Sequence, residues 1–135
     1  MNKKDLKPAS VFYYFEKICQ VPRPSKREEK IIAYLKAFGR EHGLETKTDE
    51  VGNVLIKKPA TPGKENLKTV ILQSHIDMVC EKNSDVEHDF LIDPIDTVVD
   101  GEWLKAKGTT LGADNGIGVA TELAILAATD IEHGP

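Results

Sequence analysis

The sequence is short of the features that would place it outside the ordinary globular class. Two cysteines, Cys19 and Cys80, occur in 135 residues, too few for a disulfide framework, and their spacing matches no zinc ribbon. Basic charge does not dominate: 18 Lys and Arg against 22 Asp and Glu give a formal charge of −4. Non-specific nucleic-acid binding, which needs clustered basic charge, is disfavoured. The densest basic cluster, Lys26-Arg27 with Lys30, is broken by Glu28 and Glu29 and reads as a solvated helix face. No apolar run approaches the length of about 20 residues that crosses a bilayer, and no apolar signal-peptide core follows Met1-Asn2-Lys3-Lys4-Asp5. Repeats, low-complexity tracts and interdomain linkers are also missing. The expectation is a cytoplasmic chain of one domain's size, without nucleic-acid or membrane partners, with 40% hydrophobic residues to fill a core.

What is present reads as alternating helices and strands. Val11 to Ile18 predicts a short helix with an aromatic face, with Cys19 as a small buried residue beside it, and Val21-Pro22-Arg23-Pro24 breaks it. Ser25 and Glu28 form the S-x-x-E pattern of a helix start, Ile31, Ile32, Leu35 and Phe38 follow at helical spacing, and Gly43 is a stop. Leu44–Asp49 and Asn53–Lys58 predict two strands joined across Glu50-Val51-Gly52, and the apolar run Thr69–Ser74 predicts a buried central strand. Thr97-Val98-Val99 and Glu102-Trp103-Leu104-Lys105 flank Asp100-Gly101, the signature of a type I′ hairpin, and a last helix is expected from Asn115 to about Thr129. The fold class implied is α/β, a mixed β-sheet flanked by helices. Ile131-Glu132-His133-Gly134-Pro135 reads as a turn into further extended chain, which leaves a sheet position unfilled and suggests a fragment.

The chemistry concentrates in two places. Ser74-His75-Ile76-Asp77-Met78-Val79 closes the expected central strand, and Gly112-Ala113-Asp114-Asn115-Gly116-Ile117-Gly118 sets a carboxylate in a glycine-rich turn before the last helix. Histidine and aspartate on rigid elements are ligands for a divalent metal such as zinc. His75 offers an imidazole nitrogen, and Asp114 offers two oxygens suited to bridging. Asp77 shares a strand face with His75, where it would accept the other imidazole N–H and set the tautomer. The plainer alternative is that His75 hydrogen-bonds a carbonyl at a strand end and Asp114 caps the helix. The glycines do not form G-x-G-x-x-G, no lysine follows, and Asp114 would repel a phosphate, so a phosphate cradle is disfavoured. Cys80 lies near enough in sequence to line the site. His42, His88 and His133 are expected on the surface.

Together the motifs resemble the co-catalytic zinc metallopeptidases that include aminoacylases, peptidase T and the carnosinase-type dipeptidases. The wording of residues 74–83, of Gly108-Thr109-Thr110-Leu111-Gly112 through Gly118, and of Val11–Glu16 with Val21–Ser25 resembles the aminoacyl-histidine (Xaa-His) dipeptidase branch. The resemblance implies two divalent metal ions, zinc with cobalt or manganese as alternatives, with His75 ligating one metal, Asp114 bridging both, and Asp77 acting on the imidazole as a catalytic residue. It implies hydrolysis of a dipeptide such as β-alanyl-histidine by a metal-polarised water, in a cytoplasmic and homodimeric full-length protein. It also implies a glutamate base with an adjacent acidic ligand, a further acidic ligand, a C-terminal histidine and a lid or dimerisation domain, none of which lies in residues 1–135. On this reading the chain is the N-terminal part of a catalytic domain, inactive alone, and Glu122 is a solvent-facing or packing residue. A deacylase or tripeptidase on the same scaffold and a non-catalytic interaction module are the alternatives.

Overall fold

The computed structural model describes residues 3–135. Three helices, α1 (Ala9–Cys19), α2 (Glu29–Glu41) and α3 (Ala113–Ala127), pack with two antiparallel hairpins, β1 (Glu45–Thr48) with β2 (Val54–Lys57) and β3 (Thr97–Asp100) with β4 (Trp103–Ala106). Phe15, Ile18 and Cys19 of α1 meet Val119, Ala120 and Leu123 of α3, and Ile31, Leu35 and Phe38 of α2 extend the same core to Met78 and Ile95. These positions recur at helical spacing, so each helix turns one apolar stripe inward. The buried thiol of Cys19 is pushed up to about 12 by desolvation, in keeping with a packing role.

Helix α2 ends where the sequence says it should. Gly43 takes a left-handed φ of 64°, its N–H donates to Arg40 O and that of Leu44 donates to Gly39 O. Those two bonds are the Schellman pair that satisfies carbonyls at a helix end. The chain then turns into β1, and the Asp49 carboxylate closes the β1–β2 loop by accepting from the backbone N–H groups of Val51 and Asn53 and from the Asn53 side chain.

The fold class is α/β as expected, but the strands form two separate hairpins, and three local expectations are corrected. The run Thr69–Ser74 pairs with no strand among the described residues, and Val70, Ile71 and Leu72 are 71%, 81% and 51% exposed. Neither hairpin runs beside it, and the one ladder-like bond near it is from Val70 N–H to Pro135 O at 3.1 Å. Ser25 caps no helix: α2 begins at Glu29 without a side-chain cap, because the Ser25 hydroxyl is committed elsewhere. The second hairpin pairs Asp100 with Trp103, so its two loop residues are Gly101 and Glu102. Only Gly101 has positive φ, the pattern of a type II′ turn.

Truncating Leu35, buried at the centre of α2, is expected to cost about 2–5 kcal/mol. Gly43→Ala, with open space around the new methyl, is expected to cost only the left-handed backbone penalty of about 1–2 kcal/mol. Urea unfolding of the two variants checks both, and an equal cost would contradict the assignment of Gly43 as a purely conformational stop.

Candidate active site

The two motif segments are laced together before any catalytic side chain is considered. The Thr110 hydroxyl donates to Val79 O, the Thr110 N–H donates to Glu81 O, and the Asn83 N–H donates to Gly108 O. Lys82 and Thr109 form an antiparallel bridge. On the other side, the Ser74 hydroxyl donates to Glu122 Oε2 of α3 at 2.8 Å. Glu122, expected to face solvent or to pack, thus tethers the residue before His75.

This lacing brings His75, Asp77 and Asp114 into one row. His75 Nδ1 lies 3.0 Å from Asp77 Oδ1, and His75 Nε2 lies 3.0 Å from Asp114 Oδ1. Asp77 is held from behind by the Ser25 hydroxyl, which donates to its Oδ2 at 2.5 Å. The sequence placed His75 and Asp77 on one face and set Asp114 near them, and all three meet. Of the plainer roles one is present and one absent. His75 Nδ1 also lies 3.1 Å from the backbone carbonyl of Asp77, so the imidazole meets a carbonyl as well as two carboxylates. No side-chain bond from Asp114 caps α3, whose dihedrals at Asp114 and Asn115 are themselves non-helical.

Electrostatics follow from that geometry. A carboxylate oxygen only accepts, so both imidazole nitrogens donate when both bonds are made, and the ring is then an imidazolium. The bond from Asp114, opposed by desolvation and aided by Asp77, raises the His75 pKa. The Ser25 hydroxyl, aided by His75, holds the Asp77 carboxyl below its usual range. A neutral ring that kept its Nδ1–H on Asp77 would free the Nε2 lone pair, the tautomer a metal-ligating histidine needs. Nε2 and Asp114 Oδ1, 3.0 Å apart, are then two donor atoms close enough to take two places in a divalent-metal shell. No third His, Cys, Asp or Glu joins them as a metal-holding group among the described residues. Both face solvent, the Asp114 side chain being 96% exposed and that of His75 51%.

Two residues here were not singled out as site residues in the sequence. Arg23 is 2% exposed and spans both motif segments: Nη2 donates to Gly112 O at 2.7 Å, and Nη1 reaches Ile76 O and Asp77 O at 3.3 Å each. Ser25 was read as a helix cap. The available signal was an arginine between two prolines, where the chain is held extended and a long side chain must go somewhere specific. The other candidates stand apart. The Cys80 thiol donates to Met78 O at 3.6 Å, and burial raises its pKa. His42 stacks on Phe38, His88 packs edge-on to Phe90, and His133 bonds Gly134 O.

Because the folded pKa of His75 lies above the usual 6.5, its two ion pairs stabilise the fold fully below about pH 6. That contribution is lost as pH rises through the folded value. Nitrogen-15 NMR titration of the ring is expected to give a midpoint above 6.5 that drops in Asp114→Asn; an unchanged midpoint would contradict the Nε2–Asp114 bond.

No protein-family model matches the chain. It is 53% identical over 130 residues to the cytosol non-specific dipeptidase of Escherichia coli (strain K12), a match covering 96% of this chain and 27% of that protein. Its structure superposes on the crystal structure of aminoacylhistidine dipeptidase from Vibrio alginolyticus with a TM-score of 0.95 and 54% identity, covering 99% of this chain and 27% of the other. A tripeptidase from Staphylococcus aureus matches with a TM-score of 0.70 at 24% identity over 93% of this chain and 34% of the other, a likeness of fold alone. The chain spans about a quarter of the length of the dipeptidases it matches. Over nearly all of its own length it is similar in sequence and fold to the aminoacyl-histidine dipeptidases, as its motifs indicated.

Proposed function

We propose that this chain is the N-terminal part of the catalytic domain of a metal-dependent dipeptidase acting on Xaa-His dipeptides such as β-alanyl-histidine. The carrying observation is the row Ser25–Asp77–His75–Asp114, in which Asp77 meets one imidazole nitrogen and an exposed carboxylate lies 3.0 Å from the other. The names of the two close relatives, a cytosol non-specific dipeptidase and an aminoacylhistidine dipeptidase, support the reaction class and a cytoplasmic setting. No helix among the described residues is long and apolar enough to cross a membrane.

His75 and Asp114 would hold zinc, with cobalt or manganese as alternatives, and Asp114 would bridge a second ion of the same kind. When bound, such metals polarise a peptide carbonyl and the attacking water. Asp77 keeps the His75 tautomer and ring plane by accepting the Nδ1 proton, which makes it a positioning group in the reaction. Two protein ligands fall short of the usual number of about three for a catalytic zinc. Glu122, the nearby carboxylate on α3, is engaged by Ser74 and is not placed to accept a proton from an attacking water. We assign the general base and remaining ligands to a longer protein, since this chain spans about a quarter of the length of its relatives, and take that full-length protein to be a homodimer. The exposed Val70-Ile71-Leu72 run suits the same reading, as a strand awaiting neighbours; it equally suits an interaction module that pairs with another chain.

The 135-residue chain with added zinc or cobalt is expected to show no turnover of β-alanyl-histidine. Activity that His75→Ala abolishes would overturn its assignment as an incomplete site. In a full-length protein carrying this segment, His75→Ala is expected to lower kcat/KM by about 10²-fold or more, the several kcal/mol that metal polarisation supplies. A fold loss below about tenfold in that assay would remove His75 from the metal shell.

A further inference from the structure

Arg23 and its neighbours form a strap across the base of the site, and its covalent layout is unusual. Pro22 and Pro24 flank Arg23, which removes two backbone donors and biases Arg23 to extended chain. The groups that remain are turned onto the segment carrying Asp77. Met78 N–H donates to Arg23 O at 3.0 Å and Ser25 N–H donates to Met78 O at 3.3 Å, and Pro24 and Met78 form a parallel bridge. The Ser25 hydroxyl reaches Asp77 Oδ2 and also Met78 O.

The guanidinium completes the strap by crossing to the other ligand-bearing segment. Its fork accepts no substitute among charged side chains: a planar group with donors diverging from one carbon can bond Gly112 O on one side and Ile76 O and Asp77 O on the other at once. These hydrogen bonds all go to carbonyl oxygens, and the Asp77 charge nearby favours the buried cation without bonding it. The surroundings are cut to fit. A Cβ at Gly112 would lie 2.6 Å from Nη2 and 2.8 Å from Met78 Sδ, and a Cβ at Gly116 would also lie 2.6 Å from Nη2. One cation thus measures the separation between the backbone at residues 76–77 and the backbone at residue 112, which sets the distance from His75 to Asp114.

We infer that the Arg23–Ser25 strap is the positioning element of this site: Arg23 fixes the spacing of the His75 and Asp114 segments and Ser25 fixes the Asp77 carboxylate behind the imidazole. The inference rests on the metal-ligand reading of His75 and Asp114, but it concerns residues that touch neither metal nor substrate. Groups that orient metal ligands from behind typically change metal affinity by about 10–100-fold when removed.

The test uses the 135-residue chain, with zinc titrated against the nitrogen-15 and carbon-bound proton signals of the His75 ring, a readout that reports weak binding and needs no turnover. Arg23→Lys keeps the charge and removes the fork; Ser25→Ala, at an exposed position, removes only the hydroxyl. Lys58→Met is the control. Its ammonium bonds Ile125 O and Ala128 O at the far end of α3, so it perturbs the fold away from the site. Arg23→Lys and Ser25→Ala are each expected to shift the metal-free ring signals and weaken zinc binding about tenfold or more, while Lys58→Met leaves both unchanged. Wild-type ring signals and affinity in a folded Arg23→Lys would overturn the inference. If Arg23→Lys does not fold, Ser25→Ala decides, and unchanged ring signals there overturn it equally. If Lys58→Met produces the same loss, the effect is one of general stability and the inference fails. If the wild-type chain shows no zinc response at His75, as two ligands alone allow, the metal-free ring signals of the variants decide the strap, and unchanged signals in both overturn it.

Discussion

A buried positive charge whose donors are met by backbone carbonyls is the constraint around which this structure is arranged. Taking a guanidinium out of water is costly unless its donors are met, and desolvation accordingly lowers the pKa of Arg23. The donors are met by carbonyls from two segments far apart in sequence, at residues 76–77 and at residue 112. That requirement explains features that look unrelated along the chain: an arginine between prolines, a methionine at 78 packed in the core, and glycines at 112 and 116 where any side chain would strike Nη2. The glycine-rich turn before α3, which in isolation suggests a cradle for a ligand, is in large part a cradle for Arg23.

The row of side chains above that charge is well ordered yet open. Asp77 is braced by Ser25, and His75 is braced by Asp77 and Asp114, so the imidazole has little freedom of tautomer or plane. Exposure of Asp114 leaves the pair in a high-dielectric setting, where ion pairs are worth little and are screened by salt. Electrostatic stabilisation of a developing oxyanion needs fixed dipoles in a site from which water is excluded. Orientation is therefore built into these residues, while low dielectric, a base and further ligands are not, which is why the proposed activity is assigned to a longer protein.

The same division holds for the fold. Helices α1 and α3 bury their stripes against each other, and α2 buries its own against the β1–β2 hairpin and the same core. The run Thr69–Ser74 buries little and pairs with no strand among the described residues. Its one ladder-like bond, from Val70 N–H to Pro135 O, leaves Val70, Ile71 and Leu72 exposed.

Local chemistry made the helices, the two hairpins and three of the site residues legible in the sequence, because apolar periodicity, Gly43 and the His-x-Asp spacing act over a few residues. His75, Asp77 and Asp114 could be named because their side-chain types have few uses in such settings. The S-x-x-E pattern misled for a physical reason: the Ser25 hydroxyl can satisfy either a helix N–H or a carboxylate, and only the approach of Asp77 decides. Likewise Thr69–Ser74 has the composition of a buried strand, but pairing depends on partners that composition does not supply. The sequence by itself marked His75, Asp77 and Asp114 as candidate site residues and determined which stripes form the core. The tertiary structure alone decided that Arg23 joins the two motif segments, since a hydrogen bond across 89 positions leaves no periodic trace in the chain and exists only once folding brings its ends together.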